Sequence, residues 1–228
     1  MLATPKSNLT AMSKHHIIIS GTGRTGTTFL VQLLTALGLD TGFADATSGI
    51  YSNCNAGMEW DLRRPDAPYI IKSPWLCDYL DEALDSGEYI IDHAVIPMRD
   101  LYSAAESRRD VTRRTKISPV EGVIPGGLWH TETPQEQESV LATQLYKLIH
   151  TISKRDIPIT LLYFPRLIRD PKYLHGKLEF MLGGIGYQKF LETFKQIAQP
   201  DLVHEFRRPS TMAASTLEGE NSDGNNRH

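Results

Sequence analysis

The segment Gly21-Thr-Gly-Arg-Thr-Gly-Thr-Thr28 has the residue types of an anion cradle. Glycines let a backbone turn tightly with its N–H groups pointing inward. A helix N-terminus behind the turn adds partial positive charge. The spacing Gly21-x4-Gly26-x-Thr28 is that of a phosphate loop, and its surroundings agree. An apolar strand, His16-Ile-Ile-Ile-Ser20, precedes it, and an apolar helical stretch, Phe29 to Leu37, follows with Gly38 as its C-cap. A merely tight strand-to-helix turn would use the same glycines. The position where an NTPase loop carries its lysine is Thr27. That lysine works on the β- and γ-phosphates, so its absence weighs against ATP or GTP. Positive charge stands instead at Arg24, inside the loop, and Thr25, Thr27 and Thr28 keep hydroxyls in place.

Two further strand ends carry cations. Tyr69-Ile-Ile-Lys72 reads as a short strand that delivers Lys72, and Ala94-Val-Ile-Pro-Met98 as one that delivers Arg99. Open α/β sheets bind ligands at the carboxyl ends of their strands. Asp100 suits a helix N-cap, and Ser107 then lies two turns along on nearly the same face. An arginine fork and a serine hydroxyl together suit a phosphate. The same residues also suit an Asp-capped surface helix with its arginines in solvent, and Lys72 equally suits a strand-end lysine in water.

In sequence order, the loop with Arg24, the strand ending Lys72-Ser-Pro74, and the strand ending Arg99-Asp100 with Ser107 eight residues after the arginine resemble P-loop sulfotransferases. These enzymes use 3′-phosphoadenosine 5′-phosphosulfate (PAPS), and the match is to bacterial and membrane-type members. The resemblance covers roughly residues 16–110. It implies that Gly23, Arg24, Thr25, Gly26, Thr27 and Thr28 hold the 5′-phosphosulfate and that Arg99 and Ser107 hold the 3′-phosphate. It implies that Lys72, with Arg24, stabilises the charge that develops during in-line transfer of the sulfuryl group. No metal is required in that scheme. The family often has Pro after Arg-Asp, where this chain has Leu101, and cytosolic members place a histidine where it has Pro74.

An acceptor hydroxyl needs a general base. Relatives acting on tyrosine residues or glycosaminoglycans use a glutamate from an earlier segment, and Glu59, in Asn55-Ala-Gly-Met-Glu59-Trp60-Asp61, is the counterpart. A solvated loop carboxylate fits Glu59 as well, and Asp61 and His130 are rival bases. The basic run Arg108 to Lys116 suits a phosphate or an anionic acceptor, but most of its charges read as a solvated helix end. Gly126-Gly-Leu-Trp129 suits a lid over the ligand, or a buried tryptophan anchoring the next helix.

The elements that must position these groups alternate between strand and helix. After the first helix come helical stretches over Trp75–Leu84, Leu101 to about Arg109 and Gln135–Lys154. A strand at Ile159–Phe164 and two shorter helices between Tyr173 and Ala198 follow. The pattern predicts an α/β fold of three layers, a mostly parallel sheet between helices. Residues 15–208 form its single domain, with 111–133 a loop or lid. Residues 1–14 read as a flexible lead and 209–228 as a polar tail too poor in apolar residues to order itself.

A net charge of −3 over 228 residues gives no sign of nucleic acid or an anionic membrane as partner. The two cysteines, Cys54 and Cys77, make neither a metal pattern nor a disulfide framework. With no apolar run of membrane length, a reducing, cytoplasmic setting is expected. The expected partner is a small-molecule, glycan or peptide hydroxyl, less readily an amine. The alternatives are a magnesium-dependent P-loop kinase, for which Asp92 would have to hold the metal, and a nucleotide-binding module without catalysis.

Overall fold

The computed structural model describes residues 13–51, 56–115, 124–204 and 206–208. Most of the expected lead, the tail, and residues 116–123 of the expected lid lie outside the described residues.

The centre is a four-stranded sheet built from β1 (Lys14–Ile19), β4 (Ile70–Lys72), β5 (Tyr89–Met98) and β6 (Ile159–Tyr163). Its order is β4-β1-β5-β6, and every neighbouring pair is parallel. A two-stranded antiparallel ribbon, β2 (Ile50–Tyr51) with β3 (Ala56–Gly57), stands apart from it.

Alternation along the strands divides the core between two faces. Ile17, Ile19, Ile70, Val95 and Leu162 turn to one side, onto α1 (Thr27–Ala36), α6 (Pro171–Leu178) and α7 (Tyr187–Ile197). Ile18, Ile71, Ala94 and Ile96 turn to the other, onto α2 (Leu76–Asp85) and α4 (Gln137–Lys154). Helices on both faces of a parallel sheet make the expected three-layer α/β fold. A third apolar cluster joins Ala104 and Ala105 of α3 (Leu101–Arg114) to Trp129 and Leu141.

From β1 the chain runs first to β4 on one side, then crosses to β5 on the other. The carboxyl ends of β1 and β5 are therefore a topological switch point, where sheets of this kind leave a crevice. A Cβ added at Gly21 would lie 3.3 Å from the Pro97 carbonyl, so the loop after β1 packs against the end of β5.

Several boundaries differ from the sequence reading. The two apolar runs at 89–91 and 94–98 form one ten-residue strand. The polar break between them is satisfied across the sheet: Asp92 accepts from Tyr69 Oη and pairs with His15 Nδ1, and His93 Nε2 meets Thr160 Oγ1. Helix α3 runs on to Arg114, so 111–114 are helix rather than lid. Between the strand at 159–163 and the next helix stands a short helix, α5 (Arg166–Arg169).

Candidate functional site

The loop from Ser20 to Gly26 leaves β1 and enters α1 through Gly26, which is left-handed at φ 85°. No side chain caps the helix, and no acidic residue sits in its first turn. The first N–H groups and the positive end of the helix dipole are thus left to an anion. Gly23 is left-handed too, and a Cβ there would fall 2.4 Å from Arg108 Nη2. Only glycine lets the loop lie this close to the guanidinium.

A cleft of about 610 Å³ opens over this loop. Its walls include Gly23, Arg24, Gly26, Thr27 and Thr28 from the loop and the start of α1, Lys72 from β4, Glu59, Arg99 between β5 and α3, and Ser107 two turns into α3. Residues spread over 85 positions, from Gly23 to Ser107, therefore meet in one cavity. Thr25 departs from the expectation. It is fully buried away from the cleft, and its hydroxyl has no hydrogen-bond partner among the described residues.

Lys72 ends β4, and its side chain is only 5% exposed. Its ammonium donates to the Gly57 carbonyl at 2.7 Å and to Glu59 Oε1 at 2.8 Å, and approaches Thr28 Oγ1 at 3.5 Å. Burial pushes its pKa below the ordinary lysine value, Glu59 opposes that, and Arg108 and Arg24 add to it. Glu59 reaches Lys72 because Met58 N bonds the Gly49 carbonyl and Trp60 N bonds the Lys72 carbonyl, which fixes the strip between them.

Arg24 Nε donates to Ser107 Oγ at 3.1 Å, linking the loop to α3. Arg99 Nη1 donates to the Arg24 carbonyl at 2.9 Å, its Nη2 to the His204 carbonyl, and its guanidinium lies 4.8 Å from the Phe164 ring centroid. Asp100 caps α3 as expected, accepting from Ser103 N at 2.8 Å.

The rival bases stand elsewhere. Asp61 is forked by Arg63 at 2.9 and 2.6 Å, which holds its carboxyl below the usual range. It lines a shallow neighbouring depression rather than the main cleft. His130 meets Asp78 at 3.1 Å and lines neither. Glu59 is the one carboxylate among the described lining residues. Trp129 is a buried anchor: its backbone N–H and C=O both bond the Gln137 side chain at the start of α4. Its ring packs edge-on against Trp75 and also reaches the cleft wall.

The residue that sequence reading misjudged is Arg108, in a run taken mostly for a solvated helix end. It is 6% exposed and lines the cleft. Its Nε and Nη2 donate to the Thr22 carbonyl at 3.2 and 2.8 Å, and its Nη1 donates to the Gly127 carbonyl at 2.7 Å. Burial pushes its pKa down to about 9, Arg24 adds to the shift and Glu59 opposes it, so it stays charged at neutral pH. A signal was present: Ala104, Arg108 and Val111 follow the i, i+4, i+7 spacing of the buried face of α3. The other arginines of the run pair locally, Arg109 with Glu106, and Arg113 and Arg114 with Asp110, and Lys116 lies outside the described residues.

Among the described residues, Arg24, Lys72, Arg99 and Arg108 thus line the cleft against Glu59 alone, a local excess of positive charge in a chain of net charge −3. Among the described residues no group of three or more His, Cys, Asp or Glu could hold a metal ion. No helix among them is long and apolar enough to cross a membrane. No protein-family model matches the chain, and no curated protein matches it.

Proposed function

We propose that the chain is a sulfotransferase that moves a sulfuryl group from PAPS to an acceptor hydroxyl, less readily to an amine. The observation that carries this reading is the convergence of Arg24, Lys72, Arg99 and Arg108 on one cleft over a phosphate-type loop that lacks the NTPase lysine. Among the described lining residues, four cations against one carboxylate suit a ligand with several phosphate-like charges.

The residues fit such a donor. Gly23, Gly26, Thr27 and Thr28 offer the cradle, with the uncapped end of α1 behind it. Arg99 and Ser107 are the groups for the 3′-phosphate. The donor supplies the sulfuryl group. Lys72 and Arg24 hold the negative charge that accumulates on the departing phosphate oxygen, as preorganised donors do in a water-poor site. Glu59 takes the proton of the acceptor hydroxyl.

A magnesium-dependent phosphotransferase is less well supported. Asp92, its metal candidate, lies on β5 beside His15 and Tyr69 and does not line the cleft. The chain's charge balance and two cysteines agree with a cytoplasmic setting. The test is turnover: the protein, [³⁵S]PAPS and a panel of phenols, sugars, lipid alcohols and peptides, in the presence of a chelator. Acceptor-dependent transfer of label supports the reading. Consumption of ATP that requires magnesium, with PAPS left intact, overturns it.

A further inference from the structure

Arg108 is a buried cation whose surroundings do not balance its charge. Among the described residues no carboxylate is paired with it, and the one acid that favours its charge, Glu59, is ion-paired with Lys72. Arg24 opposes it. Two backbone carbonyls, Thr22 and Gly127, take its three hydrogen bonds, and its guanidinium lies 5.1 Å from the Trp129 ring centroid. Carbonyl dipoles and a ring face offset part of the cost of burying a guanidinium, whereas a full counter-charge would offset much more.

The two carbonyls belong to different parts of the chain. Thr22 lies in the phosphate loop. Gly127 lies in 124–130, whose own amides are held by Gly127 N to the Ile124 carbonyl, Leu128 N to Thr112 Oγ1 and Trp129 N to Gln137 Oε1. Pro125, Gly126 and Trp129 of that segment form part of the cleft wall. A Cβ at Gly126 would meet Arg24 Nη1 at 3.1 Å, so the segment also lies close to the loop's own cation.

We infer that Arg108 is a positioning residue that couples an anion in the phosphate loop to the closed placement of the 124–130 wall. A loop-bound anion supplies the counter-charge Arg108 lacks, which strengthens the arrangement in which it grips both Thr22 and Gly127. Linkage then requires the reciprocal effect: a wall held by Arg108 raises affinity for the anion. The inference rests on the phosphosulfate reading only for the identity of the anion. The coupling itself needs any phosphate-like group.

The experiment titrates wild-type protein, Arg108→Gln and Arg108→Lys with two probes, pyrophosphate and adenosine 3′,5′-bisphosphate, without magnesium. Amide hydrogen exchange is followed over 20–28 and 124–130. Wild type is expected to bind both probes, and each is expected to slow exchange of Gly127, Leu128 and Trp129 about tenfold or more. Arg108→Gln should lose at least tenfold in affinity for both and show no slowing in 124–130. Arg108→Lys, which keeps the charge but lacks the wide planar fork that spans Thr22 and Gly127, should recover part of the affinity and little of the slowing.

Binding of both probes by Arg108→Gln within twofold of wild type overturns the inference. So does a wild-type response confined to 20–28, a result that needs no variant and decides the matter should Arg108→Gln fail to fold. If wild type binds pyrophosphate but not the bisphosphate, the donor reading fails and Arg108 is judged on pyrophosphate alone. If wild type binds neither, both fail.

Discussion

The ammonium of Lys72 and the carboxylate of Glu59 meet at 2.8 Å where the end of β4 reaches the cleft. The two partners are unequal: the lysine side chain is 5% exposed and the glutamate 37%. The cation is held by the protein interior, while its partner faces the ligand space. A charge in that position is costly for the fold and useful for chemistry, so the two roles should separate on substitution.

Lys72→Met should keep the fold and lose the reaction. An apolar side chain of similar length removes the buried charge, and Glu59 can turn to water. Removing one partner of an ion pair is costly when it strands a buried charge, but the charge stranded here is the 37% exposed Glu59, so the change in stability should be small. Turnover should fall by roughly a hundredfold or more, the effect of deleting one preorganised donor, about 3 kcal/mol. Urea denaturation and PAPS turnover on the same preparation check both halves. A clearly destabilised variant with intact turnover contradicts the assignment.

Stability near the alkaline limb should carry a Lys72 signature. Its pKa is lower in the folded protein than in the unfolded chain, so the unfolded chain binds more protons between the two values. Stability contributed by this group therefore rises with pH across that window, which ends near the unfolded value of about 10.4. Lys72→Met should remove that rise. Comparing the unfolding free energies of the two proteins between pH 8 and 10.5 isolates it, because the tyrosines titrate in both. A difference that shrinks with pH to zero above 10.5 supports the account. A flat difference does not.

A second pH effect belongs to His16, buried on β1 with Nδ1 2.8 Å from the Pro68 carbonyl. Its Nε2 is buried without a partner among the described residues. Protonation would leave a second N–H with no acceptor, and burial lowers its pKa below the ordinary 6.5. Stability is then fully present above about pH 6.5 and lost as pH falls through the lower folded value. His16→Asn, which can keep a donor for Pro68, should flatten this loss between pH 6.5 and 5. Parallel urea melts at those two pH values check it, and an unchanged slope would mean the acid loss comes from elsewhere.

Two glycines give a matched contrast. Both Gly23 and Gly38 are left-handed, at φ +67° and +86°. A Cβ at Gly38 meets nothing within 4 Å, whereas one at Gly23 strikes Arg108 at 2.4 Å. Gly38→Ala should cost about 1 kcal/mol, from its backbone conformation alone, and leave anion affinity unchanged. Gly23→Ala should cost about 2–3 kcal/mol and weaken pyrophosphate binding at least tenfold. Thermal melts and titration of the two variants side by side check this. Equal affinities would mean the loop does not depend on its closeness to Arg108.

The layered fold and most of the cleft could be read from the chain because the signals are local. Strand ends fall directly before Ser20, Ser73 and Arg99, and a parallel sheet brings its carboxyl ends together wherever the intervening helices lie. The single β5 strand was hidden because Asp92 and His93 look like a break until His15, Tyr69 and Thr160 arrive from neighbouring strands. Thr25 was misplaced because spacing tells which residues form a loop but not which way each side chain turns. Arg108 was hidden by composition. Among the arginines of its run only it falls on the apolar stripe of α3, and composition does not distinguish one arginine of a basic run from the next.

The most direct test of the central claim is a calorimetric titration of the full chain with adenosine 3′,5′-bisphosphate in chelator, set against ATP with and without magnesium. The account predicts magnesium-independent binding of the bisphosphate. It also predicts at least tenfold loss in Arg99→Ala, which removes the 3′-phosphate group along with the bonds to the Arg24 and His204 carbonyls, and much weaker ATP binding that magnesium does not rescue. Tight ATP binding that depends on magnesium, with no affinity for the bisphosphate, would contradict it.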